Sequence, residues 1–317
     1  MKIVLILILF SFFSLLSNAQ RNIELISKEN SELPEDDIWS IAIDPLGNKW
    51  FGTSKSGLVK FNNSRTKVFS SANSIIKGGP IGALLVDSHG ILWISTSNPD
   101  GLFTIKGDSV KKIKNKYIEG LAGVIAMSKN AKGEIYFGGS NGMVKFDGAT
   151  WSKMELPING VVIRAIDVSQ NGIIAVGHND GLLIGTEKKW QIFEEEKEKL
   201  QLPVVRSLKF TSDTTLIIGY GGGFGNGGFS VKNKEVWVHY NKLNSKMPDN
   251  MVRDIEIDGR GNYWMATNNG LATFSRSDGL KSIFFRNGTF KNVILDICIE
   301  NNIVWIATNF GVIKLTE

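Results

Sequence analysis

The sequence predicts an all-β fold, a seven-bladed β-propeller with four-stranded blades. Two observations carry this prediction. One turn–strand–turn–strand unit recurs along the whole chain, and its period is near that of a propeller blade. A third observation predicts how the ring closes: a short apolar strand stands at the N-terminus, and the last repeat lacks its fourth strand.

The unit is clearest in Asp44–Phe61, DPLGNKWFGTSKSGLVKF. A tight turn leads to an aromatic strand start (Trp50, Phe51), a small residue and a threonine (Gly52, Thr53), a second turn ending at Gly57, and another apolar strand. Copies begin at Asp87, Asn130, Ser169 and Asp258, with a shortened one at Glu300 and a degenerate one around Asp213 to Val231. The second-turn glycines are Gly57, Gly101, Gly142, Gly181, Gly228, Gly270 and Gly311, separated by 44, 41, 39, 47, 42 and 41 residues. Seven units predict seven blades.

Taken in order, the first 19 residues read as a signal peptide. Lys2 gives a basic start, Ile3–Leu16 is an apolar run, and Ser17-Asn18-Ala19 offers small residues for cleavage before Gln20. The run falls short of the roughly 20 residues that a membrane span needs. No cysteine follows it for lipid attachment, so the domain predicted for residues 20–317 is periplasmic or secreted, with no membrane span in the mature chain. A formal net charge of +5 is mild and does not argue for a nucleic-acid partner, which usually requires a dense basic face. The single cysteine, Cys298, lies in an apolar strand and reads as a buried, unreactive thiol; no intramolecular disulfide is possible.

Ile23–Ile26 supplies the strand that the seventh repeat lacks, so the N-terminus is expected to pair with the last blade and remove the open sheet edges. Fourth strands of the first six blades are expected near Thr66–Ser70, Val110–Lys114, Thr150–Met154, Trp190–Phe193, Val236–Tyr240 and Ser282–Phe285. Trp50, Trp93, Tyr136, Trp264 and Trp305 share one repeat column, with Ala175 and Ile217, and read as packing residues between blades. Two positions on, Gly52, Ser95, Gly138, Gly177, Gly219, Ala266 and Ala307 let sheets approach near the axis. Lysines at 106, 111, 112, 114 and 116 guard an outer edge strand. The run EEEKEK at 194–199 reads as a solvated loop or one helical turn. The glycine-rich run at 219–228 contains a G-x-G-x-x-G match, but a strand rather than a helix follows, so it reads as a lengthened turn, not a dinucleotide site.

The pattern I-x-x-I-x-x-D-x-x-G-x-x-W-F-G-T-x-x-G-L is carried by Ile38, Ile41, Asp44, Gly47, Trp50, Phe51, Gly52, Thr53, Gly57 and Leu58, with Ser31, Leu33 and Pro34 leading in. It resembles the two-component regulator propeller repeat, strongly in blades one, two, six and seven and weakly in blades four and five. The resemblance implies the propeller fold and a role like the periplasmic sensing part of bacterial hybrid histidine kinases, which respond to polysaccharide fragments. The sequence departs from that architecture: Glu317 follows the last strand directly, with no β-sandwich, membrane helix or kinase.

Two repeat columns are expected at the channel mouth. The first, at the start of the inner strands, reads Trp39, Gly82, Ile125, Arg164, Arg206, Arg253, Leu295. The second, at the end of the next strands, reads Thr53, Thr96, Gly139, His178, Tyr220, Thr267, Thr308. Arg164, Arg206 and Arg253 therefore form one arc, with His178, Tyr220, Asn179, Asp180, Asn268 and Asn269 beside it. Arginine's planar fork suits carboxylate or phosphate, so the arc is a candidate site for a polar or anionic ligand such as an oligosaccharide. In the plainer reading the arginines line a wet channel or pair with carboxylates such as Asp254. The expected function is a non-catalytic exported module binding such a ligand or an envelope protein, with no cofactor and no metal site; Asp100, Asn179 and Asp180 offer only a weak calcium set. The alternative is a small propeller enzyme similar to the streptogramin lyases, with His178 as base.

Overall fold

The computed structural model describes residues 21–62, 65–77, 79–96, 101–194, 200–221, 227–285 and 292–316. The proposed signal peptide, Asp100, most of the 194–199 run and the middle of the glycine-rich run lie outside these residues.

Among the described residues, 28 strands form seven four-stranded antiparallel sheets, six of them paired in sequence order from an inner to an outer strand. Blade one is Ile38–Ile43, Lys49–Thr53, Leu58–Asn62 and Arg65–Phe69. Blade seven takes Ile294–Glu300, Ile303–Thr308 and Gly311–Thr316, and its outer strand is Asn22–Ile26, with Ile23 opposite Leu315 and Leu25 opposite Ile313. The ring is thus closed by the N-terminal strand. The fourth strand of blade six is earlier than the sequence suggested, Gly279–Ile283, and blade two's ends at Lys112. One short helix, Lys116–Gly120, follows it, with Asn115 accepting from the Tyr117 amide.

Alternation along each second strand explains the core. Trp50 packs with Leu58, Ile81 and Leu92 toward blade two, while its neighbour Phe51 packs with Val312 and Trp305 toward blade seven. A period of two sends successive side chains to opposite faces, so each sheet feeds two joints. The seven buried clusters are these seven joints. The small column is required there: a Cβ on Gly52 would lie 2.7 Å from Ile81 Cγ2 of the next blade.

The D-x-x-G-x-x-W spacing has a direct cause. Trp50 Nε1 donates to Asp44 Oδ2 at 2.9 Å, Trp93 to Asp87 at 3.0 Å and Trp264 to Asp258 at 3.1 Å. The buried indole needs an acceptor, and the aspartate of its own turn reaches it. The shortened seventh turn has no such aspartate, and the Trp305 indole N–H is left without a partner.

Candidate functional site

A channel of about 1220 Å³ runs down the ring axis. Its mouth is shaped by a repeated irregularity. In every blade the pairing of inner and second strand skips one residue, and the skipped residues are Trp39, Gly82, Ile125, Arg164, Arg206, Arg253 and Leu295. A β-bulge leaves its extra residue unpaired and re-aims its side chain. All seven line the channel. The first sequence column is therefore the bulge column, and Arg164, Arg206 and Arg253 stand side by side at the mouth.

The three arginines are not equivalent. Arg164 Nε donates to Asn179 Oδ1 at 2.9 Å, and Arg253 Nε donates to Asn268 Oδ1 at 2.7 Å. Blade five has Gly221 at the matching position, directly after Tyr220, and a Cβ there would lie 2.8 Å from Arg206 Cδ. Arg206 lies over that glycine and makes no hydrogen bond or ion pair among the described residues. Burial first, then repulsion from Arg253 and Arg164, pull its guanidinium down to about 10. Burial also lowers Arg253, opposed by Asp249.

The second column behaves differently. Thr53 Oγ1 donates to Gly57 O at 2.7 Å, Thr267 to Gly270 O at 2.6 Å and Thr308 to Gly311 O at 2.7 Å, all fully buried. This column closes the second turn. His178 and Tyr220, which replace the threonine, are 3% and 0% exposed and do not line the channel. His178 Nδ1 accepts from the Asp180 amide at 3.2 Å, and its Nε2 has no hydrogen-bond partner. Burial holds its imidazole below the ordinary range, opposed by Asp180 and Glu194. The Tyr220 hydroxyl lies 2.8 Å from Ser230 Oγ, which lies 2.7 Å from His239 Nδ1. The structure brings Arg164, Arg206, Arg253, Asn179 and Asn268 together at the mouth and leaves His178 and Tyr220 inside the blades. Asn269 faces the next loop, its Oδ1 3.5 Å from the Asn292 amide.

Deeper in the channel lies a charged wall that the sequence columns did not single out. Lys209 Nζ meets Glu256 at 2.8 and 2.7 Å. Burial lowers the lysine, but Glu256 and Asp167 outweigh it and hold the ammonium above its ordinary range. These side chains sit far inside the ring yet touch channel space, at 29% and 30% exposure. Asp254 does not pair with an arginine. Its Oδ2 accepts from the Ile297 amide at 3.0 Å, and it shares a hydrogen bond with Asp296, whose Oδ2 accepts from the Ile41 amide at 2.7 Å. Burial, then Glu256, push Asp254 up to about 6, and burial, then Asp254, hold Asp296 well above the ordinary carboxylate range. Burial likewise pushes Asp167 up to about 6, although its Oδ2 accepts from the Phe210 amide at 2.6 Å. Cys298 lines the same channel, its thiol raised by burial and by these acids, which leaves it poorly nucleophilic. Among the described residues no cluster of His, Cys, Asp or Glu is placed to hold a metal. No described helix is long and apolar enough to cross a membrane.

Residues 75–98 and 246–269, in blades two and six, match the family model of the two component regulator propeller. The chain carries two component regulator propeller repeats. No match is found among curated proteins. Solved structures share the fold at low identity. Catalytically inactive virginiamycin B lyase from Staphylococcus aureus with Quinupristin is 14% identical at a TM-score of 0.76, over 94% of this chain and 100% of that one. The extracellular domain of the hybrid two component system protein BT4673 from B. thetaiotaomicron is 17% identical at 0.74, over 94% of this chain but 40% of that one. PorZ, a surface component of the type-IX secretion system of Porphyromonas gingivalis, is 16% identical at 0.68, over 89% of this chain and 47% of that one. The regulator-propeller match falls outside blades four and five, which contribute Arg164 and Arg206.

Proposed function

We propose that this regulator-type propeller is an exported, non-catalytic binding module that captures an anionic ligand at the channel mouth. Arg206 carries the reading. It is a half-buried guanidinium between two other arginines, and no described side chain answers its charge. A cation in that position is destabilising unless a ligand supplies the counter-charge. Arg164 and Arg253, oriented by Asn179 and Asn268, add donors on either side. Across the mouth Trp39 is 38% exposed and offers an aromatic face to the same cavity. Cationic forks facing an aromatic platform suit an acidic oligosaccharide.

The likeness to the extracellular domain of a hybrid two component system supports a sensing or capture role outside the cytoplasm. A lyase-like role has support in the shared fold. However, a general base must come within about 3 Å of the proton it takes, and His178 is buried off the cavity.

The test is calorimetric titration of the chain with trigalacturonate and with neutral cellotriose. Trigalacturonate should bind and cellotriose should bind far more weakly. Arg206→Ala should weaken the acidic sugar about tenfold to a hundredfold, as expected for a lost charge-assisted hydrogen bond of about 1.5–3 kcal/mol. Unchanged affinity in that variant would sink the assignment.

A further inference from the structure

We propose that the groove between blades one and two, on the face of the ring away from the arginines, is a second binding site, which takes a small organic anion with an apolar body and a carboxylate head. The groove encloses about 460 Å³, within the range of small-molecule sites. Trp50, Leu92 and Ile105 form its floor, and Pro45, Leu46 and His89 form its lip. Leu46, an apolar side chain of this lining, is 87% exposed. Two lysines, Lys60 and Lys106, stand at the rim.

The joint between blades three and four shows how a lysine at the same register is paired elsewhere in the ring. Lys145 stands opposite Tyr136 in the third strand of blade three, as Lys60 stands opposite Trp50 in blade one. Lys145 Nζ lies 2.7 Å from Glu187 of blade four and 3.5 Å from Glu134 of its own blade. Glu187 occupies a two-residue hairpin turn between the pair Thr186 and Lys189. In blade two the same turn lies between Lys106 and Ser109, and the residue in place of Glu187 is Gly107. The residue in place of Glu134 is Asn48.

Lys60 is thus left without either carboxylate. It makes no hydrogen bond or ion pair among the described residues, and its ammonium lies over the Trp50 ring at 5.1 Å. The nearby acids are committed elsewhere. Asp44 accepts from the Asn48 side chain and from the Trp50 indole, and Asp108, beside Gly107, forms its ion pair with Lys67 at 2.9 Å and feels the Lys60 charge only at longer range. The other joint therefore carries a carboxylate on the chain where this one presents two ammonium groups over an apolar floor. A ligand carboxylate in the position of Glu187 would pair with Lys60, Lys106 would reach it from the rim, and the apolar body would cover Leu92 and Ile105 under Leu46.

Ligand-observed saturation-transfer NMR and calorimetry with 2-naphthoate, and with its neutral isostere 2-naphthamide, test the site. The naphthoate should bind, and the amide should bind at least about tenfold more weakly. The double variant Lys60→Ala/Lys106→Ala should weaken naphthoate at least about tenfold while the protein stays folded, since Lys106 is exposed and Lys60, half-buried over the Trp50 ring, has no ion pair to lose among the described residues. Leu46→Glu, a change at a fully exposed turn, should weaken naphthoate by placing a carboxylate at the lip. The proposal is overturned if naphthoate fails to bind, if the amide binds equally, or if the lysine and Leu46 variants bind as the parent does. The last outcome would place the anion on the channel arginines instead.

Discussion

The two halves of the channel wall are built on the same repeat and carry opposite chemistry. Blades one to three present Trp39, Gly82 and Ile125 at the bulge and Ala42, Leu85 and Ser128 three residues further in. Blades four to six present Arg164, Arg206 and Arg253 at the bulge and Asp167, Lys209 and Glu256 below, and Asp254 and Asp296 continue the charge into blade seven. The backbone is common to both halves, so the difference lies in side chains alone. It teaches that the ring and its bulges are generic, whereas the charged arc is particular to blades four to six and is the part on which the proposed ligand site rests. The carboxylates also join blades: Asp167, Asp254 and Asp296 each accept an amide of the next inner strand. Serine hydroxyls link blades in both halves, as Ser40 Oγ donates to Ile81 O at 2.7 Å and Ser207 Oγ to Val252 O at 3.4 Å.

The largest effect should come from placing one side chain at the same register in both halves. Lys209→Met removes the cation between Asp167 and Glu256 and leaves two carboxylates facing each other deep in the channel. Stranding a buried charge costs about 3–5 kcal/mol, and channel water reduces this, so a loss of about 3 kcal/mol is expected in denaturant unfolding. Leu85→Met at the matching position of blade two conserves volume and should cost less than about 1.5 kcal/mol. Equal losses in the two variants would show that the two walls do not differ energetically.

A smaller effect separates the halves by pH. Asp254 is pushed up to about 6 in the folded protein, above the roughly 3.9 of an unfolded chain. A raised carboxyl contributes stability that is fully present below the unfolded value and is lost as pH rises through the folded one. The protein should therefore lose stability between about pH 4 and pH 7 on account of the Asp254–Asp296 pair. Asp296→Asn keeps an acceptor for the Ile41 amide and donates permanently to Asp254. It should flatten that slope and raise stability at pH 8 by on the order of 2 kcal/mol, taking about 1.4 kcal/mol per pKa unit and discounting for channel water. Asp167, also at about 6, should preserve a residual slope. A melting-temperature profile of parent and variant from pH 4 to 8 decides it; parallel curves would remove the shared proton from the account.

The fold was legible because its cause is repetitive. The glycine period, the Trp column and the N-terminal strand each appear in the sequence as spacing, and spacing fixes blade number and closure. The arginine arc was legible for the same reason, as a column. What could not be read was which way a column points. The threonine column ends at the mouth in sequence, yet its hydroxyls turn into the second turn, and His178 and Tyr220 follow them inward. The bulge that turns the arginines outward leaves no mark in spacing, because the extra residue is present in every blade. The acid–lysine wall was visible as Asp167, Lys209 and Glu256 in one column, but its meaning depends on neighbouring blades that a linear reading does not place side by side. The pairing of an arginine with Asp254 failed for this reason: the next inner strand offers Asp254 an amide first.

The smallest expected effect has the opposite sign and bears most directly on function. Arg206→Met keeps the aliphatic stem over Gly221 and removes a cation that Arg164 and Arg253 repel. The repulsion is already visible in the guanidinium's fall to about 10. Against it stands the packing of the stem, which methionine retains in part. The variant should therefore unfold at slightly higher denaturant, a gain of about 0.5 kcal/mol, as when a functional site is relieved of strain. The matching change at the mouth of blade six, Arg253→Met, should instead lose about 1 kcal/mol, because it deprives Asn268 of its donor at 2.7 Å. Opposite signs at two arginines of one arc would mark Arg206 as the residue held ready for an outside charge. A loss at both positions would mean that Arg206 already has its counter-charge within the chain, and that the mouth is held together by all three arginines alike.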